Sequence, residues 1–147
     1  MLAATLTNIS TAKRNILPAR RVFAWQQRKA MSILLIDTSA LHALNYARDN
    51  NHALAAAYFK SLAGRTKPIL TDWIFIETMN LTKARLGPEY AIEFGRSLRS
   101  SKAFYQLVMT EIDKRATWEI FERYNDKEWS YVDCSLFAVA QRLNIQR

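Results

Sequence analysis

An α/β fold built on a parallel sheet is the architecture this sequence predicts, and three observations predict it. Short apolar runs at Ile33–Asp37, Pro68–Thr71 and Tyr105–Thr110 read as buried strands. Longer stretches of helical periodicity separate them, and strands joined by helices of that length pair in parallel. Three acidic residues, Asp37, Glu77 and Asp133, stand where a strand or loop feeds a helix, or in that helix's first turns. Acids so placed can converge at one end of a parallel sheet, where such folds keep their ligand sites.

Each element has a local reason. Ile33–Asp37 runs into Asp-Thr-Ser, which suits a helix cap. Ala40–Tyr46 and His52–Leu62 read as helices, with Gly64 as the stop of the second. Asp72 is placed to cap a helix that runs to about Leu86, where Gly87-Pro88 breaks it. Glu89–Leu98 is the next helix. Glu111–Tyr124 is amphipathic, with Ile112, Ala116, Ile120 and Tyr124 on its apolar face. Ser130 precedes a final helix carrying Val132, Leu136, Ala140 and Leu143. That helix is expected to close at Leu143-Asn144, since Asn accepts the left-handed conformation. Ile145-Gln146-Arg147 then reads as the approach to a further strand, so the expectation is a domain whose last strand is missing.

Length and composition narrow the class. A chain of 147 residues, half of them apolar, suits one domain with a real core. No apolar run reaches the length of a membrane span. The single cysteine, Cys134, excludes an intrachain disulfide and a Cys-rich zinc site, and fits a reducing compartment. The net charge of +8 is uneven. Lys13, Arg14, Arg20, Arg21, Arg28 and Lys29 lie in residues 1–30, which hold no acid. Of 21 basic residues, 15 remain against 13 acids in 31–147, net +2. The basic charge therefore argues only weakly for a polyanion partner. Residues 1–30 read three ways: a tail or misplaced start before Met31, a transit-like leader, or a basic arm for RNA.

The three acids each admit a structural reading. Asp37 alone is equally a helix N-cap. Glu77 shares its side of the helix with Trp73, Asn80, Leu81 and Ala84; it either meets a cation there or lifts its head into water at the stripe's edge. Asp133 follows Ser130 in an S-x-x-D capping box and alone reads as structural. As a cluster of hard oxygen donors, the three point to a divalent cation and phosphate chemistry. His42 and His52 are off any common metal-ligand spacing and are expected on helix surfaces. Cys134 reads as a buried small residue, with no His near it in sequence to activate a thiolate. Trp73, Trp118, Trp129, Tyr124 and Tyr131 can stack on bases or pack in a core or interface. Arg96, Arg99 and Lys102 form a basic cluster that can bind phosphate or simply be solvated. With only three glycines, no phosphate loop can be built.

Taken together, LLIDTSAL, LTDWIFIETMNLTKARLG and DKEWSYVDCSLFAVAQRLNI resemble, in order, the motifs of PIN-domain ribonucleases, the VapC-type toxins of toxin–antitoxin pairs in particular. The likeness runs from about Met31 to Arg147. It implies a three-layer α/β/α sandwich and cytoplasmic RNA cleavage with Mg²⁺ or Mn²⁺. It implies Asp37, Glu77 and Asp133 as catalytic metal ligands, with Ser39 assisting. Arg96, Arg99 and Lys102 remain candidates for RNA contact. The implied partners are RNA, an antitoxin and a second copy of the chain. One departure is expected: the family's further acid, on the strand after the Asp-Cys helix, would fall beyond Arg147. A chain lacking that strand should be less stable than a complete domain and a poor or inactive nuclease. That leaves a second reading, a non-catalytic PIN domain that only binds an antitoxin.

Overall fold

A computed structural model describes residues 32–145. The expectations for residues 1–30, and for Gln146 and Arg147, lie outside the described residues. Strands β1 (Ser32–Leu35), β2 (Thr66–Thr71) and β3 (Tyr105–Leu107) form a parallel sheet in the order β1-β2-β3. Helices α1 (Thr38–Asn45) and α2 (His52–Ser61) connect β1 to β2. Helices α3 (Asp72–Leu86) and α4 (Pro88–Ser100) connect β2 to β3, and α5 (Glu111–Arg123) and α6 (Tyr131–Arg142) follow. This is the α/β sandwich the sequence predicts.

The sheet owes its position to alternation. Ile69 and Leu70 are both fully buried, on opposite faces of β2. Leu70 packs with Ile36, Leu41, Ile74, Phe94 and Leu98, so α1, α3 and α4 cover that face. Ile69 and Leu107 pack with Val139 and Leu143 of α6 on the other. Ile120 of α5 meets Cys134 and Ala138 of α6 and completes the outer layer. Burial on both sides is why the strands read as apolar runs rather than alternating ones.

Several expected boundaries shift for identifiable reasons. Thr71, not Asp72, caps α3: its Oγ1 accepts from Ile74 N at 3.2 Å. Asp72 instead accepts from Met109 N at 3.1 Å and ties the start of α3 to the segment after β3. Thr110 is not the end of a strand. It caps α5 in a reciprocal box with Asp113, and β3 ends at Leu107. The buried face of α5 carries Asp113, Thr117 and Ile120, whereas Ile112 is 62% exposed and Tyr124 is 40% exposed. Asp113 turns inward because Arg142 Nε reaches it from α6 at 2.5 Å, so the helix is rotated away from the expected stripe. Asn144 has φ 50°, the left-handed close expected of it. Gly87 has φ 91° and joins α3 to α4, with Pro88 at the first position of the new helix.

Candidate active site

The C-terminal end of β1 delivers Asp37 as the N-cap of α1. One carboxylate oxygen accepts from Thr38 N and the other from Ser39 Oγ, both at 2.6 Å. The cap that the sequence suggests is therefore real. Glu77 lies in the second turn of α3, half-buried, and accepts a hydrogen bond from the Thr38 hydroxyl. Asp133 sits in the first turn of α6, where its carboxylate accepts from Ser130 N at 2.7 Å and Ser130 Oγ accepts from Asp133 N at 3.0 Å. The capping box is formed as the spacing predicts.

These three acids, far apart in sequence, line one cavity of about 430 Å³ together with Ser39 and Ser130. Thr38 is the residue that joins Asp37 to Glu77, and sequence reasoning missed it. It is 6% exposed, and its N–H and hydroxyl serve Asp37 and Glu77 respectively. Arg85 lines the same cavity, two turns beyond Glu77 on α3, and was also missed. His42 is half-buried and faces this cavity rather than lying on a plain helix surface. His52 is likewise half-buried, with Nδ1 2.8 Å from the carbonyl oxygen of Ala43. Arg96 and Arg99 line a different, mainly apolar groove between α3 and α4. Lys102 is exposed, and its carbonyl accepts from Lys67 Nζ at 2.8 Å.

Cys134 is buried, as expected, and burial together with the neighbouring Asp133 carboxylate pushes its thiol pKa up. A raised thiol pKa opposes a nucleophilic role. The donor chemistry of the cavity, carboxylates with hydroxyls between them, fits a hard divalent cation. Among the described residues no three Asp, Glu, His or Cys side chains stand close enough to hold one ion as they are arranged. Three-acid coordination therefore requires the carboxylates to draw together.

A family model for the PIN domain matches residues 34–147. The chain belongs to the PIN-domain family. Within it, this PIN domain is similar to VapC20 of Mycobacterium tuberculosis, described as a 23S rRNA-specific endonuclease, in strain H37Rv and in strain CDC 1551 / Oshkosh alike. Identity is 28% over 116 residues, which cover 78% of this chain and 85% of VapC20. The crystal structure of that protein, described as a toxin cleaving the Sarcin-Ricin loop, matches with a TM-score of 0.70 at 28% identity, again over 78% and 85% of the two chains. The PIN-domain match runs from the second half of β1 through α6, and so covers the acid cavity.

Proposed function

We propose that this chain is a VapC-type endoribonuclease toxin that hydrolyses RNA phosphodiester bonds with Mg²⁺ or Mn²⁺, its domain spanning residues 31–147. The observation that carries this reading is the convergence of Asp37, Glu77 and Asp133 on one cavity of a PIN-domain scaffold. Asp37, Glu77 and Asp133 would hold the ion. When bound, such an ion lowers the pKa of a water and neutralises charge on the scissile phosphate. Ser39 keeps one Asp37 oxygen aimed, Thr38 keeps Asp37 and Glu77 facing each other, and Ser130 sets the height of Asp133. No side chain need act as a covalent nucleophile. The similarity to VapC20 makes ribosomal RNA the first substrate to try. The same likeness supports an antitoxin that covers the cavity, a second copy of the chain as partner, and a cytoplasmic setting. Among the described residues no helix is long and apolar enough to cross a membrane.

A second reading, a PIN domain that binds protein without cutting RNA, is favoured by the spacing of the acids, which is too wide for one ion as arranged. Titration of the full chain with Mn²⁺ by calorimetry, alongside RNA cleavage, separates the two. The nuclease reading expects Mn²⁺ binding that Glu77→Gln weakens at least tenfold, with cleavage falling in step. Absence of both binding and cleavage from folded protein leaves the second reading.

A further inference from the structure

Two histidines stand on either side of the α1–α2 turn, and the fold treats them differently. The His52 ring is tied down, with Nδ1 2.8 Å from the Ala43 carbonyl oxygen. The His42 ring is not. It rests against Tyr46, with ring centroids 5.6 Å apart, and among the described residues neither of its nitrogens takes part in a hydrogen bond or an ion pair. His42 is half-buried and lines the acid cavity. It follows Thr38 by four residues, so the two share a side of α1. One turn of helix, a rise of about 6 Å, separates it from the residue that joins Asp37 to Glu77. A phosphodiester group can bridge that separation with its ester oxygens.

Helix stability accounts for part of this placement. His42 lies in the last turn of α1, where a cation suits the macrodipole. That role needs no cavity, and it leaves both ring nitrogens unengaged. Hydrolysis of a phosphodiester does need a proton donor: the ester oxygen that leaves phosphorus carries off a negative charge unless a proton reaches it. The other polar groups of the cavity are poor donors. Asp37, Glu77 and Asp133 are the candidate ion ligands, and carboxylate ligands are deprotonated. Asp49, the fourth carboxylate of the cavity, is engaged by the turn, accepting from Asn51 N at 2.8 Å. Arg85 keeps its protons at any working pH. The Thr38 hydroxyl and Ser39 Oγ already donate to Glu77 and Asp37. An imidazole is the side chain that gives and regains a proton near neutral pH.

Resting on the nuclease reading, we infer that His42 is the general acid of RNA cleavage. Its imidazolium gives one proton to the ester oxygen as the bond from that oxygen to phosphorus breaks, and the oxygen leaves as a hydroxyl. The attacking water makes the new bond to phosphorus and releases its own proton to solvent. Neutral His42 regains a proton from solvent. The sum is hydrolysis, with nothing oxidised or reduced.

The test takes an oligoribonucleotide that the full chain cuts in Mg²⁺, its leaving oxygen identified from the end groups of the products. A second oligoribonucleotide carries sulfur in place of that oxygen. A thiolate leaves without a proton, so the sulfur substrate has no use for a general acid. Relative to the parent chain on the same substrate, His42→Gln should slow cleavage of the oxygen substrate about a hundredfold and leave cleavage of the sulfur substrate nearly unchanged. His42→Asn should do the same. Both variants should keep the parent's melting temperature, because no hydrogen bond of the ring is lost. Added to Asp37→Asn, so that RNA binds without being cut, His42→Gln should leave the affinity read by fluorescence anisotropy nearly unchanged, since the acid acts in the transition state. Equal slowing of both substrates overturns the inference and assigns His42 to structure or binding. No slowing of either also overturns it, and cleavage by the parent then leaves the nuclease reading standing. A folded parent chain that cuts no RNA removes both.

Discussion

Thr38 holds two carboxylates with one residue. Its N–H is committed to Asp37 and its hydroxyl to Glu77, and it is nearly inaccessible to water. Thr38→Val keeps the shape and removes the hydroxyl, leaving Glu77 short of a donor in a half-buried position. Losing such a bond costs roughly 1–3 kcal/mol at the group left behind. We expect RNA cleavage to fall about tenfold and Mn²⁺ affinity to fall with it, while Thr38→Ser retains both. Equal activity in the Val variant would mean that the contact does not position the site. Asp37, Glu77 and Asp133 were legible in the sequence because each sits at a joint whose chemistry is local: a cap, a helix start, a capping box. Thr38 was not, because its partner lies 39 residues away and the contact exists only once α1 lies against α3. Arg85 was passed over for Arg96 and Arg99, which cluster in sequence but face another groove.

Between elements, the largest departure from the expected pattern is the buried contact of Asp113 with Arg142, which locks α5 to α6. Binary patterning assigned Ile112 to the core, since an acid reads as solvent-facing until its partner is known. Arg142 Nε supplies that partner from 29 residues away. Burial by itself would raise the Asp113 pKa, but the bonds from Arg142 and Thr110 outweigh it, and the carboxyl ends below its ordinary value. A depressed carboxylate stabilises the fold above its unfolded pKa, about 3.9. That contribution is lost as pH falls from there through the folded value. Arg142→Ala strands a buried charge and should cost about 3–5 kcal/mol near neutral pH in urea melts. The gap between variant and parent should shrink as pH drops below about 4; a gap independent of pH would show that the pair is not what holds the helices. Gly87 gives a second test at this scale. Its φ of 91° strains any other residue, although a Cβ there meets nothing within 4 Å. Gly87→Ala should therefore cost about 1–3 kcal/mol through backbone strain alone, with cleavage per folded molecule unchanged. The Gly87-Pro88 break and the Ser130 cap were legible for the same reason: Gly, Pro and Ser act on their own backbone, without tertiary help.

Across the whole molecule, the fold class followed from alternation of apolar runs and helical periods, which is a statement about order along the chain. The sheet faces, the rotation of α5 and the width of the acid cavity did not follow, because they depend on how layers meet. The described sheet places β1 at one side with β2 as its partner, and Asp37 leaves it directly into the cavity. Site chemistry and family agree on RNA, yet the carboxylates stand wider apart than one ion needs. We propose that they act together on a metal to cut RNA. The most direct measurement is cleavage of a mixed RNA pool by the purified full chain in Mg²⁺, in EDTA, and with Asp37→Asn in Mg²⁺. Discrete fragments are expected in the first case and intact RNA in the other two. Intact RNA in all three, from protein shown to be folded, or cleavage that survives EDTA or the loss of Asp37, would rule out joint action of the carboxylates on a metal.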